Sequence, residues 1–243
     1  MNTAILDGDM IVYRAAFGSE VEVRWDDDIF TLHMSLIEAH QKVDELVETI
    51  LKKTDTHSYK MAFSDSHTFR HELEPSYKAN RKDKRKPLGL KALIQEAFDK
   101  HNGIKFPNIE ADDLIGILCT ANPDFIAVSG DKDFGTLPCK WYNFLKDEMH
   151  DTSEEEANKW HLIQALAGDS VDGYGGCKGI GVITAKKLLD KKGYNWQSVV
   201  DIYESKDMTE GVALLTARLA YILRDKDYDT KTHTIKELWK PTI

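Results

Sequence analysis

The stretch Thr3-Ala-Ile-Leu6-Asp7-Gly8-Asp9-Met10-Ile-Val-Tyr-Arg-Ala-Ala-Phe-Gly18 decides the fold. A short apolar run stops at an aspartate and a glycine. Helical spacing follows and is closed by a second glycine, so the unit is strand, acidic loop, helix. Asp7 then stands at the C-terminal end of a strand. The same pattern recurs along the chain. Tyr59-Lys-Met-Ala-Phe63 ends at Ser64-Asp65, and Phe125-Ile-Ala-Val128 ends at Ser129-Gly-Asp131-Lys-Asp133. Between them, Ile104-Lys-Phe106 leads to Glu110-Ala-Asp112-Asp113, three acids at the head of the apolar helix Leu-Ile-Gly-Ile-Leu-Cys. Strands alternating with helices predict an α/β fold with a mostly parallel central sheet. Ligands of such sheets bind outside the carboxyl ends of the strands, so the acids are expected to converge on one edge.

The intervening segments fill in the outline. Trp25-Asp-Asp-Asp28 reads as a turn or cap, followed by a long amphipathic helix through Leu32, Leu36, Ala39, Val43, Leu46, Val47 and Ile50. Leu88 to Lys100 has helical spacing, and Trp141-Tyr-Asn-Phe144 is a further strand. Composition then shifts. Thr152-Ser-Glu-Glu-Glu caps a helix carrying Trp160, Leu162, Ile163, Ala165 and Leu166, Gly168 to Gly181 is glycine-dense, Thr184 to Leu189 is helical, and the remainder to about Asp225 reads as short helices. The expected organisation is an α/β unit over residues 1–150 and a helical appendage over 151–243.

With 243 residues, 42% of them hydrophobic, there is enough chain for one sizeable core with a smaller attached unit. No apolar run approaches the roughly 20 residues that span a bilayer, and the N-terminus enters Ala4-Ile-Leu without a basic and apolar leader. The three cysteines, Cys119, Cys139 and Cys177, are odd in number and in no CxxC pair, which argues against a disulfide framework or a zinc knuckle. A reducing cytoplasm, without membrane association, is the expected setting.

A formal net charge of −9 argues at first against a nucleic-acid partner. Distribution matters more than the total. Asp7, Asp65, Glu110, Asp112, Asp113, Asp131, Asp133, Asp169 and Asp172 are nine acids, so gathering them around metal ions leaves the rest of the surface about neutral. Positive charge is then concentrated in Lys78-Ala-Asn-Arg81-Lys82-Asp-Lys84-Arg85-Lys86. Oxygen-only ligands suit magnesium or manganese, whereas zinc more often recruits His or Cys. Two such cations about 4 Å apart can activate a water and stabilise a leaving oxygen, which is the chemistry of phosphodiester hydrolysis. The blander reading of each acid segment is a helix start that favours negative charge. Asp9 reads as either an outer metal ligand or the cap of the first helix, the cap being favoured, and His67, His71 and His161 read as solvent-facing or hydrogen-bonded.

A second chemistry lies in Gly175-Gly-Cys-Lys-Gly179-Ile-Gly181-Val-Ile-Thr184-Ala-Lys186-Lys187. Glycines expose backbone N–H groups at a helix start and the lysines add charge, which suits a DNA phosphate. A plain helix-connecting turn with a solvated lysine face is the alternative.

Taken in order, Leu-Asp7-Gly, Phe-Ser-Asp65, Tyr77-Lys78-Ala-Asn-Arg81, Glu110-Ala-Asp112-Asp113, Asp131-Lys-Asp133-Phe, Gly-Asp169-Ser-Val-Asp172 and Gly179-Ile-Gly181-Val-Ile-Thr184-Ala resemble the flap endonuclease and 5′-nuclease family, most of all its phage 5′ to 3′ exonucleases. The resemblance implies a PIN-like core with a helix-hairpin-helix at about 168–192 and an arch-like basic segment at about 67–90. It further implies that Asp7, Asp65, Glu110 and Asp112 hold one divalent ion and Asp131, Asp133, Asp169 and Asp172 the other, with Asp113 in the metal set assisting through water or from behind the direct ligands. Tyr77, Lys78 and Arg81 match residues that meet the scissile nucleotide. Lys82, Lys84, Arg85 and Lys86 would line the DNA path, and Gly179, Gly181, Thr184, Lys186 and Lys187 would grip duplex backbone, in some members around a potassium ion. The implied partners are duplex DNA with 5′ ends, nicks or flaps and RNA–DNA hybrids, met by a monomer in the host cytoplasm if the gene is a phage's. The basic segment is short for an arch, which favours an exonuclease at duplex ends over one that threads a flap.

Two other readings compete. Asp7-Gly-Asp9 with Gly168-Asp169-Ser-Val-Asp172 also resembles the motifs of haloacid-dehalogenase-type phosphatases, whose first Asp is a nucleophile. That reading leaves Glu110 to Asp113 without a role. A non-catalytic DNA-binding protein on the same fold is the other, disfavoured because every expected acid is present.

Overall fold

The computed structural model describes residues 2–241. The first strand, β1 (Thr3–Asp7), passes directly into α1 (Gly8–Gly18), with the Asp7 carboxylate accepting the Met10 N–H. This close turn needs Gly8, where a Cβ would lie 2.7 Å from the Ala62 carbonyl oxygen. The chain then forms β2 (Glu20–Asp26) and β3 (Ile29–Met34), an antiparallel hairpin, before α2 (Leu36–Thr54), whose N-cap is Ser35. The expected helix through Leu32 therefore begins four residues later. Leu32 and Leu36 share a helical spacing by coincidence, and the β-branched and aromatic run Val21, Val23, Trp25, Ile29, Phe30 and Thr31 favours strands around the acidic turn.

Next come β4 (Ser58–Ala62), the short α3 (Phe69–Leu73), α4 (Leu90–Lys100), β5 (Gly103–Ile104), α5 (Ala111–Ala121), β6 (Phe125–Ser129), β7 (Lys140–Asn143) and β8 (Glu148–Asp151). Six strands form one sheet in the order β5-β4-β1-β6-β7-β8, parallel except for β8 against β7. The expected mostly parallel α/β sheet flanked by helices is what the chain forms. β1 is buried on both faces, as central parallel strands are. Ile5 faces the layer built by Ile109, Leu114 and Ile115, while Ala4 and Leu6 face Ile11, Val43, Val47 and Leu93.

The remaining elements are α6 (Glu154–Ala167), the tiny pair β9 (Gly168–Asp169) and β10 (Tyr174–Gly175), α7 (Val182–Lys192), α8 (Trp196–Glu204), α9 (Glu210–Ala220) and the pair β11 (Tyr228–Asp229) and β12 (Thr234–Ile235). Helices α6 to α9 share a core of Leu162, Leu166, Leu189, Val199 and Tyr203. After α9 the chain returns to the α/β unit. Tyr221, Ile222, Leu223 and Tyr228 belong to the same apolar cluster as Ile115 and Leu137. Gly116 permits this return, since a Cβ there would lie 2.4 Å from the Leu223 carbonyl oxygen. The segment after residue 150 is thus more than an appendage. Cys119, Cys139 and Cys177 are free and buried, and among the described residues no helix is long and apolar enough to cross a membrane.

Candidate active site

The carboxyl ends of β1, β4 and β6 open on the same edge, and α5 and the β9–β10 pair bring further acids to it. Asp7 is 4% exposed and uses both oxygens: one caps α1, the other accepts the Ser129 hydroxyl at 2.7 Å. Burial first, then the charges of Asp9 and Asp131, push its carboxyl up to about 7 despite those hydrogen bonds. Asp112 is pushed well above the carboxylate range by burial and by Asp7, Asp131 and Glu110. Asp133 is pushed to about 7 by burial and by Asp131, with Asp169 and Asp172 adding to it. Asp131 accepts the Asp133 N–H, and Asp169 accepts the N–H groups of Val171 and Asp172, so both turns aim their carboxylates by local capping.

Cations crowd the other flank. Lys78 Nζ is 2.6 Å from Glu110 Oε1 and 3.7 Å from Asp172 Oδ2, and Arg81 pairs with Asp172. The buried Tyr77 hydroxyl lies between Glu110 Oε2, at 3.1 Å, and Asp172 Oδ2, at 2.9 Å. Backbone carbonyls of the Ser170–Asp172 turn fix this arrangement, accepting from the Lys78 N–H and the Asn80 side-chain amide. Lys78, in the left-handed conformation at φ 56°, donates its N–H to Asp172 O at 2.7 Å, and Asn80 donates to Ser170 O at 2.9 Å. Burial alone would push Glu110 up, but Arg70 and Lys78 outweigh it and hold the carboxyl below its ordinary value.

Of the nine expected acids, Asp7, Glu110, Asp112, Asp131, Asp133, Asp169 and Asp172 face one another across this edge. Two do not. Asp65 turns outward to accept the N–H groups of Asn108, at 3.0 Å, and Ser66, at 2.8 Å, with Lys105 Nζ 3.8 Å away. Asp113 is 0% exposed, held by Arg70 inside the protein rather than at the surface of the site. Among the described residues no three His, Cys, Asp or Glu side chains stand ready-made at metal-binding distances. The ion pairs of Lys78 and Arg81 draw Glu110 and Asp172 toward the basic segment instead. The oxygens nonetheless fit hard cations: Asp133 Oδ1 is buried without a hydrogen-bond partner, and the set contains only carboxylates.

Of the two roles open to Asp9, the favoured one, helix cap, falls to Asp7 instead, whereas Asp9 accepts the Ser64 N–H at 3.0 Å and lies in the field of Glu110 and Lys78. Its carboxyl is pushed up, by burial above all. Arg70 also escaped notice, because an arginine in a polar stretch carries no pattern. Lys82, Lys84 and Lys86 are exposed, but Arg85 makes two bonds to Glu20, at 2.6 and 2.7 Å, and covers the Phe17 ring. Arg85 therefore ties the basic segment to the β2–β3 hairpin rather than standing free for DNA. Gly179, Gly181, Thr184, Lys186 and Lys187 are exposed around the start of α7. His161 is a structural residue, its Nε2 2.8 Å from Ala217 O and its pKa pushed down to about 4 by burial.

An acid-rich sheet edge, bordered by a buried tyrosine and a lysine and arginine suited to a phosphate, defines a nuclease. Residues 2–162 match the family of the 5′-3′ exonuclease, N-terminal resolvase-like domain, and the chain belongs to that family. It is 28% identical to the exonuclease of Escherichia phage T7 over 98% of this chain and 93% of that protein. A flap endonuclease Xni of Shewanella baltica is 31% identical over 68% of this chain and 70% of its own length. The fold is similar to the crystal structure of the T5 D15 protein, at a TM-score of 0.70 and 15% identity, covering 90% of this chain and 89% of that one. The protein is a hydrolase of the 5′-3′ exonuclease and flap endonuclease class, which sets aside both the phosphatase and the non-catalytic readings.

Proposed function

We propose that the protein cuts duplex DNA from 5′ ends, nicks and flaps by phosphodiester hydrolysis with two divalent cations. The observation that carries this is the gathering of seven carboxylates at one sheet edge beside Lys78, Arg81 and Tyr77. Solved relatives point the same way: T5 5′-exonuclease has been seen with divalent metal ions bound, and T5 D15 flap endonuclease with DNA and metal ions.

Asp7, Glu110 and Asp112 would hold one ion, with Asp9 better placed than Asp65 to join them, and Asp131, Asp133, Asp169 and Asp172 the other. Magnesium or manganese fits the all-oxygen set. The two ions together supply an activated water and charge stabilisation of the leaving oxygen. The chain's own residues do the rest. Lys78 and Arg81 leave Glu110 and Asp172 and turn to the phosphate, balancing charge that grows in the transition state. Tyr77, released from its two carboxylates, supports the nucleotide beside the cut. The segment from Gly179 to Lys187 serves as the helix-hairpin-helix, with N–H groups and lysines on phosphates and room for a potassium ion at its glycines. Residues 151–220 form the duplex-holding region.

A gel with 5′-labelled blunt, nicked, flapped and RNA–DNA hybrid substrates in magnesium tests this. Release of short 5′ products from the DNA substrates is expected. Attack from 3′ ends, or full cleavage in EDTA, would refute it; the hybrid lane shows whether the sugar matters.

A further inference from the structure

Asp113 carries the clearest sign of a role that the metal reading does not absorb. Its four acceptor positions are all taken. Oδ2 accepts Arg70 Nη1 at 2.5 Å and the Glu110 N–H at 3.1 Å; Oδ1 accepts Arg70 Nη2 at 2.8 Å and the Leu223 N–H at 3.1 Å. A carboxylate offers about four lone-pair sites, so none remains for a cation or a water on one.

Four of the five Arg70 N–H groups are hydrogen-bonded, to Leu219 O at 3.0 Å through Nε, to Tyr221 O at 2.7 Å through Nη2 and to both Asp113 oxygens, while Nη1 also lies 3.4 Å from Glu110 Oε2. Arg70 is 3% exposed and Asp113 0%. A buried pair of this kind is retained at some cost in desolvation, and replacing both partners by apolar groups is often neutral for stability. Its geometry points elsewhere. One partner fixes the Glu110 backbone, the other lies against the Glu110 carboxylate, and both are tied to Leu219–Leu223, the strand of chain that returns from α9.

We propose that Arg70 and Asp113 are positioning residues that anchor Glu110 at the sheet edge, by its backbone N–H and beside its carboxylate, so that the carboxylate meets a cation once Lys78 leaves it, and that they register the returning C-terminal segment against it. The pair does for Glu110 what hydrogen-bonded partners behind metal ligands do in general, whose loss costs roughly 10- to 100-fold in metal affinity. This inference rests on the two-cation reading above.

The test is manganese binding to the full-length protein without DNA, measured by calorimetry for wild type, Arg70→Lys and Asp113→Asn. Asp113→Asn keeps the shape but exchanges one acceptor oxygen for a donor nitrogen, which faces one Arg70 N–H and one backbone N–H and can accept from neither. The expected result is two sites in wild type, with one of them weakened roughly 10- to 100-fold in each variant and the other unchanged. In cleavage assays the variants should need correspondingly more metal for half-maximal rate, with kcat at saturating metal changed far less. Weak or absent manganese binding by wild type would overturn the two-cation reading itself. Wild-type binding with folded variants of equal affinity would overturn only the positioning role. Failure of Asp113→Asn to fold would assign the pair to the fold alone and equally overturn the proposal.

Discussion

The two flanks of the acid cluster solve the same repulsion in different ways. On the flank of Glu110 and Asp172, cations answer the carboxylates: Lys78, Arg81 and Arg70 lie against them, and Glu110 stays ionised despite its burial. On the flank of Asp7, Asp112 and Asp133 few cations reach the acids, and like charge with burial drives their carboxyls up, to about 7 for Asp7 and Asp133. Raised carboxyls on one side answer the repulsion that salt bridges answer on the other. Under the two-cation proposal, loading would release protons from the first flank and lysine and arginine from the second, and the groups displaced in the second case are those proposed to meet the phosphate.

The largest expected effect comes from removing a carboxylate that only a metal ion would need. Asp112→Asn should lower the cleavage rate by about a thousandfold or more, because a metal ion contributes several kcal/mol of charge stabilisation and each 1.4 kcal/mol is tenfold. Duplex binding in calcium should persist. Residual activity within tenfold of wild type would break the distinction between the flanks.

Lys78→Ala, on the cation flank, should slow single-turnover cleavage by roughly a hundredfold while changing duplex affinity by less than about threefold. Equal losses in rate and binding would make Lys78 a simple phosphate contact.

The proton flank has its own signature. A carboxyl whose pKa is raised on folding contributes stability that is fully present below its unfolded value of 3.8 and is lost as pH rises through about 7. In EDTA, Asp133→Asn should therefore melt a few degrees above wild type at pH 8, with the gain shrinking as pH falls through about 7 and vanishing only at or below pH 3.8. A variant that melts below wild type at pH 8 would contradict the assignment of a proton to Asp133.

Why some of this was legible in the sequence and some was not follows from the range of the forces involved. Asp7, Asp131 and the strands before them were readable because strand, turn and helix start are local patterns, and a parallel sheet sends every strand end to one edge. That rule covers Asp7, Asp131 and Asp133; Glu110 and Asp112 follow from the acidic start of a nearby helix, whereas the roles of Asp169, Asp172 and Lys78 came only through the family resemblance. Asp113 stood apart from the direct ligands by its helical position, but its partners Arg70 and Leu223 were not legible, and Asp65 could not be sorted from the facing acids, because its orientation is set by Asn108, distant in sequence. Asp9 was misread for the converse reason: a helix start offers two candidate caps, and the bond between Ser64 and Asp9 crosses 55 positions. The β2–β3 hairpin hid behind an accidental helical spacing at Leu32 and Leu36, and the return of Leu223 onto α5 at Gly116 left no pattern at all.

The smallest expected effect lies outside the acid cluster. Lys186→Ala with Lys187→Ala should weaken duplex binding several-fold regardless of sequence and reduce the salt dependence by about one unit of slope per lysine, with the rate on saturating DNA unchanged. An unchanged salt slope would remove α7 from the DNA path.

Anomalous diffraction from a crystal soaked in manganese tests the two-flank account most directly. The account predicts two peaks about 4 Å apart, one among Asp7, Glu110 and Asp112 and one among Asp131, Asp133, Asp169 and Asp172, with Lys78 Nζ withdrawn from Glu110. A single peak, or a lysine still paired with Glu110 beside a filled site, would contradict it.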